Sequence, residues 1–294
     1  MIIWLNENIL NNMMKLKEKQ NIIATVLYLL IFFTTTVGVS AQETQQQYGA
    51  SVTNGKEYYG QQDEIPFAMH SVVKFPQALY VAEYLNNKGL SLSDSVLVEK
   101  ERLDHDTWSP MLRTFEGKRY FTFAELLTLS LAQSDNNACD LLFASCGAPT
   151  MVENYLRVLG FKQIHVRLTE KEMKENPQKA TENSATSKDM VRLMEWFMIH
   201  RGDNTFLTFI WNTMADCRTG TERIAAVRPE GSTLIHKTGS GRPLPDGRQD
   251  RNDVGIILLP DGSHISIAIF LPNSEGEKEV ATIARQLNTR LKKR

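Results

Sequence analysis

The spacing of hydrophobic residues divides the chain into a β-rich beginning, a helical middle and a β-rich end. Residues 48–60 alternate small or apolar with polar positions around Asn54-Gly55, a dipeptide typical of tight β-hairpins. From Ser71 to about Cys217, apolar positions recur at the helical period. The helices predicted there are 71–85, 122–131, 137–144, 150–159, 187–200 and 203–214. Strand patterns return at 233–238, 253–260 and 264–271, before a closing helix at 277–291.

Strands at both ends of the chain are expected to share one sheet. The predicted fold class is α/β (α+β): an antiparallel sheet flanked by helices, with an inserted all-α lobe and a cleft between the two. Residues 42–70 and 219–294 would form the sheet subdomain. Residues 71–218 would form the helical subdomain, including a long surface loop at about 167–186.

The bulk composition supports a folded chain that buries a sizeable core in one large or two intergrown domains. The 294 residues are 42% hydrophobic and 23% charged, which excludes disordered, collagen-like and coiled-coil chains. The chain has 33 basic and 34 acidic residues, so its net charge near zero indicates no nucleic acid partner.

The first 41 residues resemble a signal peptide. Several lysines precede an apolar run at 22–39, which ends on small residues at Ala41. A transmembrane anchor is the alternative, and either Met13 or Met14 could be the true start. We expect cleavage after Ala41, a periplasmic or secreted protein, and no stable membrane association afterwards.

Three cysteines give an odd count in an oxidising compartment. Cys139 and Cys146 lie seven residues apart in an apolar helical stretch, about 10 Å along its axis, which is too far for a disulfide unless the helix ends between them. We therefore expect Cys139, Cys146 and Cys217 to be buried, inert thiols. The six histidines are scattered without metal-ligand spacing, so neither a metal nor an organic cofactor is predicted.

Ser71-Val72-Val73-Lys74 places a hydroxyl and an amine on one face of a helix start. A serine hydroxyl becomes an effective nucleophile when a neighbouring base removes its proton, and backbone N–H groups at a helix start can stabilise an oxyanion. On its own, the motif is far more often a helix-capping serine followed by an exposed lysine.

Two further motifs follow in order: Ser134-Asp135-Asn136, and His236-Lys237-Thr238-Gly239-Ser240 on a predicted strand. Alone, the first is an ordinary turn and the second a strand end. Together, the three motifs are the set found in class A β-lactamases and penicillin-binding proteins. From Tyr48 to the final helix the chain resembles the class A serine β-lactamase family, and within it the extended-spectrum, CfxA-like and PER-like branch.

The resemblance implies a role for each motif residue. Ser71 would be acylated, Lys74 would carry protons, Ser134 would protonate the departing lactam nitrogen, and Asn136 would hold the substrate's side-chain amide. On the later strand, Lys237 would attract the carboxylate beside the lactam ring. The remaining implied substrate contacts are Thr238, Gly239, Ser240 (whose N–H would complete an oxyanion hole with that of Ser71) and Trp108 at the cleft mouth.

Release of the acyl-enzyme requires a residue that activates water, and the resemblance assigns this to Glu170. Glu172 and Glu175 are close alternatives. The loop that carries Glu170, an Ω-loop in the family, departs from the common pattern at Met173 and Lys174, where leucine and asparagine are usual. Its arginine, Arg167, stands one position earlier than usual relative to the glutamate, which puts the salt bridge that usually closes the loop in question.

The arginine expected to bind the substrate carboxylate also stands at a different position in the sequence. Many members carry an arginine on the strand after Lys-Thr-Gly, where this chain has Asn252, so the resemblance assigns the role to Arg223. Only residues 42–47 separate the expected cleavage site from the first strand, where relatives usually have a helix.

The implied activity is hydrolysis of β-lactam antibiotics, cephalosporins and penicillins, through a serine acyl-enzyme in a monomeric protein. Three alternatives share part of this pattern. They are a penicilloyl-binding sensor domain, a D-Ala-D-Ala peptidase and a secreted pseudoenzyme, the last suggested by Lys174 and the short N-terminal segment.

Overall fold

A computed structural model of the chain describes residues 14–17, which are helical, and residues 47–292. Most of the predicted signal peptide and its cleavage site, and the segment 42–46, lie outside the described residues. Within the described part, no helix is both long enough and apolar enough to span a bilayer. From Gln47 onward the described residues lie in one compact unit, and its division into two subdomains stays a prediction.

The described strands and helices follow the predicted β–α–β order. The strands are β1 (Gly49–Thr53), β2 (Tyr58–Gln61), β3 (Pro66–Ala68), β4 (Ser95–Glu99), β5 (Lys118–Thr122), β6 (Ile164–His165), β7 (Ser184–Thr186), β8 (Thr233–Ser240), β9 (Gln249–Leu258) and β10 (His264–Ser274). The helices are α1 (Lys74–Lys88), α2 (Phe123–Ala132), α3 (Asn136–Cys146), α4 (Pro149–Val158), α5 (Glu170–Glu175), α6 (Ser187–His200), α7 (Thr205–Ala215) and α8 (Glu277–Lys292).

Strands from both ends of the chain form one antiparallel sheet in the order β2-β1-β10-β9-β8, which confirms the predicted fold class. β1 pairs with β10 from Gly49 opposite Phe270 to Thr53 opposite Ser266. Strand β9 begins at Gln249, four residues before its predicted start. The prediction of a mostly helical middle missed β4 and β5, which pair with each other, and β6 and β7, which join β3. These strands have two to five residues, too short for a periodic signal.

The sheet buries both of its faces. On β10, Ile267, Ile269 and Leu271 pack in a cluster that includes apolar residues of α8. Ala268 and Phe270 between them pack in the larger cluster shared with the helices of the middle of the chain. Successive side chains of a strand point to opposite faces, so one strand serves both cores.

Helix α1 lies in the centre of the larger core and carries Lys74 into it. The predicted helix begins earlier, as a 3₁₀ turn at His70–Val73 that holds Ser71, and α1 proper starts at Lys74. Leu79 and Leu85 have no solvent exposure, as expected of a helix surrounded by other elements. Gly89 ends α1 in the left-handed conformation, with φ of 64°.

Candidate active site

Ser71 lies where three of the predicted motifs meet. Its Oγ accepts a hydrogen bond from Lys74 Nζ at 2.8 Å and donates one to Glu170 Oε1 at 3.2 Å. His70, next to it, and Ser134, across the site, have positive φ angles of 48° and 58°. Left-handed backbone is costly for such residues and often occurs at functional sites.

Lys74 connects the first motif to the second and to the Ω-loop. Its side chain is fully buried, and Nζ lies 2.6 Å from Glu170 Oε1. It also donates to Asn136 Oδ1 at 2.7 Å and to the Ser134 carbonyl oxygen at 3.1 Å. A buried amino group held between a carboxylate and several oxygens can pass a proton between them.

Lys237 occupies the opposite side of Ser134. Its Nζ donates to Ser134 Oγ at 2.9 Å and to the Thr238 carbonyl oxygen at 2.8 Å. Burial, and next the positive charge of Lys74, lower the pKa of Lys237 to about 7. A bound anion would oppose both effects, so Lys237 is suited to receive a carboxylate.

Strand β8 runs very close to the turn that carries Ser71. A Cβ atom at Gly239 would lie 2.4 Å from the Met69 carbonyl oxygen, so only glycine fits there. Asn252 fixes the same contact from β9 by donating to the carbonyl oxygens of Ala68 and Met69. Asn252 is therefore a buried link between the sheet and the nucleophile's turn.

The Ser134-Asp135-Asn136 segment is held by its middle residue. Asp135 is fully buried and accepts hydrogen bonds from Ser109 Oγ, from Met111 N and, as the cap of α3, from Ala138 N. Trp108, just before this contact, is 60% exposed at the cleft and donates from Nε1 to the Gln133 carbonyl oxygen.

The Ω-loop brings one of its three candidate carboxylates to Ser71. Glu172 instead accepts from Thr169 N and Thr169 Oγ1 in a capping box at the start of α5. Glu175 is exposed and pairs with Lys171 at 4.0 Å. Glu170 is thus the member of this set that contacts the nucleophile.

Asp140 fixes Glu170 and was not found from the sequence. It accepts hydrogen bonds from the backbone N–H groups of Glu170, at 2.7 Å, and Lys171, at 2.9 Å. Burial, and next the negative charge of Glu170, raise the pKa of Asp140 to about 7. The available signal was its position one helical turn after Asn136, on the same face of a helix.

The unusual loop residues have partners of their own. Lys174 Nζ lies 2.8 Å and 3.2 Å from carboxylate oxygens of Asp104 and Asp106, which ties α5 to the segment before Trp108. Arg167 pairs with Glu153 at 3.4 Å. Asn183 closes the loop by accepting from the N–H groups of Arg167 and Leu168.

Arg223 reaches the site from behind β8. It is 3% exposed, and its guanidinium donates to the carbonyl oxygens of Gly239 and Asn252 and to Ser240 Oγ. It also pairs with Glu277 at 3.0 Å. The structure therefore places Arg223 beside Ser240 and the cleft, with most of its donors already engaged by protein.

Two of the three cysteines lie where the sequence predicts, buried on α3: Cys139 and Cys146. The expectation of a buried, inert thiol is wrong for Cys217, which is half-buried and contacts polar groups. Burial opposes ionisation there, but a hydrogen bond from His236 and the charges of His236 and Lys237 lower the pKa of Cys217 to about 7.

The predicted residues line a cleft of about 1020 Å³. They include Ser71, Trp108, Ser134, Asn136, Glu170, Arg223, Thr238 and Ser240. Among the described residues, no group of three or more His, Cys, Asp or Glu side chains is placed to hold a metal ion.

Comparison with known proteins places the chain in a family. Residues 34–293 match the model of the β-lactamase enzyme family. The extended-spectrum β-lactamase PER-1 of Pseudomonas aeruginosa is 30% identical over 236 residues, which is 77% of each chain. The structure of TLA-3 extended-spectrum β-lactamase superposes with a TM-score of 0.80 at 29% identity, covering 85% of this chain and 95% of TLA-3. A class A β-lactamase from Bacteroides cellulosilyticus gives a TM-score of 0.79 at 26% identity, covering 86% and 94%. The chain belongs to the β-lactamase enzyme family, as a class A serine enzyme.

Proposed function

We propose that the protein hydrolyses β-lactam antibiotics through an acyl-enzyme on Ser71. The observation that carries this proposal is the position of Glu170, whose carboxylate contacts both Ser71 Oγ and Lys74 Nζ. A base beside the nucleophile can activate water once the serine is acylated, so the same site can be acylated and released.

In acylation, Ser71 Oγ attacks the lactam carbonyl and gives its proton to Lys74 or Glu170. Both lie within 3.2 Å of Ser71 Oγ, so the geometry suits either as the base. The backbone N–H groups of Ser71 and Ser240 would stabilise the oxyanion. As the C–N bond breaks, Ser134 protonates the nitrogen and regains a proton through Lys237 or Lys74, which contact its hydroxyl.

In deacylation, a water molecule attacks the ester carbonyl and Glu170 accepts its proton. As the ester C–O bond breaks, that proton passes from Glu170 through Lys74 to the departing Ser71 oxygen, which regenerates both Ser71 and Glu170. The water's other hydrogen leaves with the carboxyl group of the product. Asp140 holds the backbone of Glu170 in place during both steps.

The substrate carboxylate beside the ring would bind at Lys237, Thr238 and Ser240, with Arg223 supporting Ser240. Asn136 would receive the side-chain amide, although Lys74 and Thr107 Oγ1 engage it in this structure. Trp108 would border that end of the cleft. Cephalosporins and penicillins are the expected substrates, by analogy with extended-spectrum relatives.

We also propose export to the periplasm or outside the cell after removal of residues 1–41, and action as a monomer. The lysines before an apolar run and the small residues at its end support export.

Turnover of a chromogenic cephalosporin separates this function from its alternatives. Purified protein should give steady colour release, and Ser71→Ala should lower kcat/KM by at least about 10³-fold. One equivalent of colour and a stable Ser71 adduct would instead identify a sensor. Release of D-alanine from a D-Ala-D-Ala peptide, without β-lactam turnover, would identify a peptidase.

Lys174 should support deacylation through its link to Asp104. The Lys174→Met enzyme keeps the apolar stem but loses the ion pair, so the Ω-loop helix should shift relative to Ser71. We expect the deacylation rate constant to fall by roughly fivefold, because small misplacement of a catalytic group is costly. The free energy of unfolding should change by only about 0.5–1 kcal/mol, since the pair is partly exposed.

Stopped-flow kinetics of acylation and deacylation would measure this. Lys171→Met is the matched control: it lies on the same helix, but its pair with Glu175 is on the surface. Equal deacylation rates in the two variants would contradict a role for the Lys174 link.

A further inference from the structure

A chain of side-chain hydrogen bonds runs behind β8 and ends in the cleft. His236 Nδ1 lies 2.9 Å from Asp253 Oδ1, and the His236 imidazole is near enough to Cys217 to lower the pKa of its thiol. Cys217 Sγ lies 3.4 Å from Thr219 Oγ1, which lies 2.5 Å from Thr238 Oγ1. Thr219 and Thr238 line the cleft. The ionisation of Cys217 can therefore affect hydroxyl groups that face the substrate.

The end of this series at Asp253 and His236 is charged. Burial opposes a charge on His236, but the Asp253 carboxylate, and then Cys217, raise the pKa of His236 to about 10. An imidazolium therefore faces the sulfur, with the Lys237 ammonium also acting on it. Both charges favour the thiolate, which makes ionisation of Cys217 accessible near neutral pH.

At the cleft end of this hydrogen-bonded series, the hydroxyl hydrogens of Thr219 and Thr238 can be arranged in two ways. A contact of 2.5 Å between Thr219 Oγ1 and Thr238 Oγ1 holds one hydrogen, donated by either hydroxyl. If Thr219 donates, the hydrogen of Thr238 is free to point into the cleft. If Thr238 donates, that hydrogen is used, and the hydrogen of Thr219 points to the sulfur.

Ionisation of Cys217 selects between the two arrangements. A neutral thiol is a weak donor and a weak acceptor, whereas a thiolate only accepts and attracts the Thr219 hydrogen. The Thr238 hydroxyl then donates to Thr219 instead of into the cleft. A carboxylate needs donors, so it loses one partner.

We propose that Cys217 is a positioning residue that weakens binding of the substrate carboxylate when it ionises, by reversing the hydrogen bond between Thr219 and Thr238. The inference rests on the proposed function, in which Thr238 contacts that carboxylate. Because coupling between two sites is reciprocal, a bound carboxylate also opposes ionisation of Cys217.

The first test compares a chromogenic cephalosporin with its methyl ester between about pH 5.5 and 8.5. In the unaltered enzyme, KM for the acid should rise with pH, because Cys217 ionises and Lys237 loses its charge. In Cys217→Ser only the Lys237 part remains, so the rise should be shallower. Cys217→Asp places a permanent anion at this position, so it should raise KM for the acid by about tenfold over the unaltered enzyme at the low end of this pH range. KM for the ester should be similar in all three.

The inference is overturned if the Cys217→Ser profile for the acid matches that of the unaltered enzyme, or if acid and ester respond alike. Absence of any β-lactam turnover would instead reject the proposed function. Loss of kcat with unchanged KM would show a merely structural effect.

A second test needs neither turnover nor a Cys217 variant that folds. The ultraviolet absorbance of the thiolate is titrated in Ser71→Ala protein, with and without a saturating penicillin. Burial raises the pKa of Cys139 and of Cys146, the latter to about 12, so the thiolate signal near neutral pH belongs to Cys217. The penicillin should move the Cys217 titration to higher pH. An unmoved titration under saturation would refute the coupling.

Discussion

Glu170→Gln is expected to produce an enzyme that acylates and then stops. An amide is the same size as the carboxylate but cannot accept a proton from water, so deacylation should slow by about 10³-fold. Ser71 and Lys74 remain beside each other, 2.8 Å apart, so the ester should still form. Intact-protein mass spectrometry should show the full mass of a penicillin added to the protein, because ring opening loses no atoms.

Glu172→Gln provides a close control, since it changes the same functional group two residues along the same helix. Glutamine also serves at this position of a capping box, so α5 should keep its start at Thr169. Turnover should be nearly unchanged. Accumulation of acyl-enzyme in this variant, with normal turnover in Glu170→Gln, would mean that the water is activated by the other carboxylate.

Asp135→Ala should cause the largest loss of stability among the substitutions considered. It leaves three donors, on Ser109, Met111 and Ala138, without their acceptor in a fully buried place. Unsatisfied buried donors cost about 1–3 kcal/mol each, and partial relaxation should bring the total to about 3–5 kcal/mol. Denaturant unfolding followed by circular dichroism would measure this.

Asp135→Asn separates the acceptor from the charge. Its remaining oxygen can still accept from some of these donors, so its loss of stability should be roughly half that of alanine. Activity should fall in both variants, because Ser134 and Asn136 flank the altered residue. Full stability in Asp135→Ala would contradict the view that this side chain organises the second motif.

The motifs Ser71 to Lys74, Ser134 to Asn136 and Lys237 to Ser240 were visible in the sequence because each combines local spacing with a recognised order. The long helices and the outer strands were visible because their apolar periods persist over many residues. The strands β4 and β5 were missed because each is short and pairs with a partner distant in sequence, 19 residues apart at Glu99 and Lys118.

The supporting polar residues could not be found for a different reason. Asp140 and Asn183 act through contacts with residues distant in sequence, and Cys217 is connected to the distant Thr238 through Thr219. Each of the three alone looks like a solvated or buried side chain. Lys174 was visible as a departure, but its partner Asp104 lies 70 residues earlier. Sequence patterns identify the reacting groups more readily than the groups that hold them.

The close approach at Gly239 restricts which parts of this enzyme can vary. The distance between the two N–H groups proposed to stabilise the oxyanion is set by two stretches of main chain in direct contact at Gly239, joined by the buried side chain of Asn252. Substitutions elsewhere in the core are therefore expected to leave that distance unchanged. Tolerance for bulkier antibiotics would have to come from the rim of the cleft, which leaves the reaction centre free to stay constant while substrate range diverges.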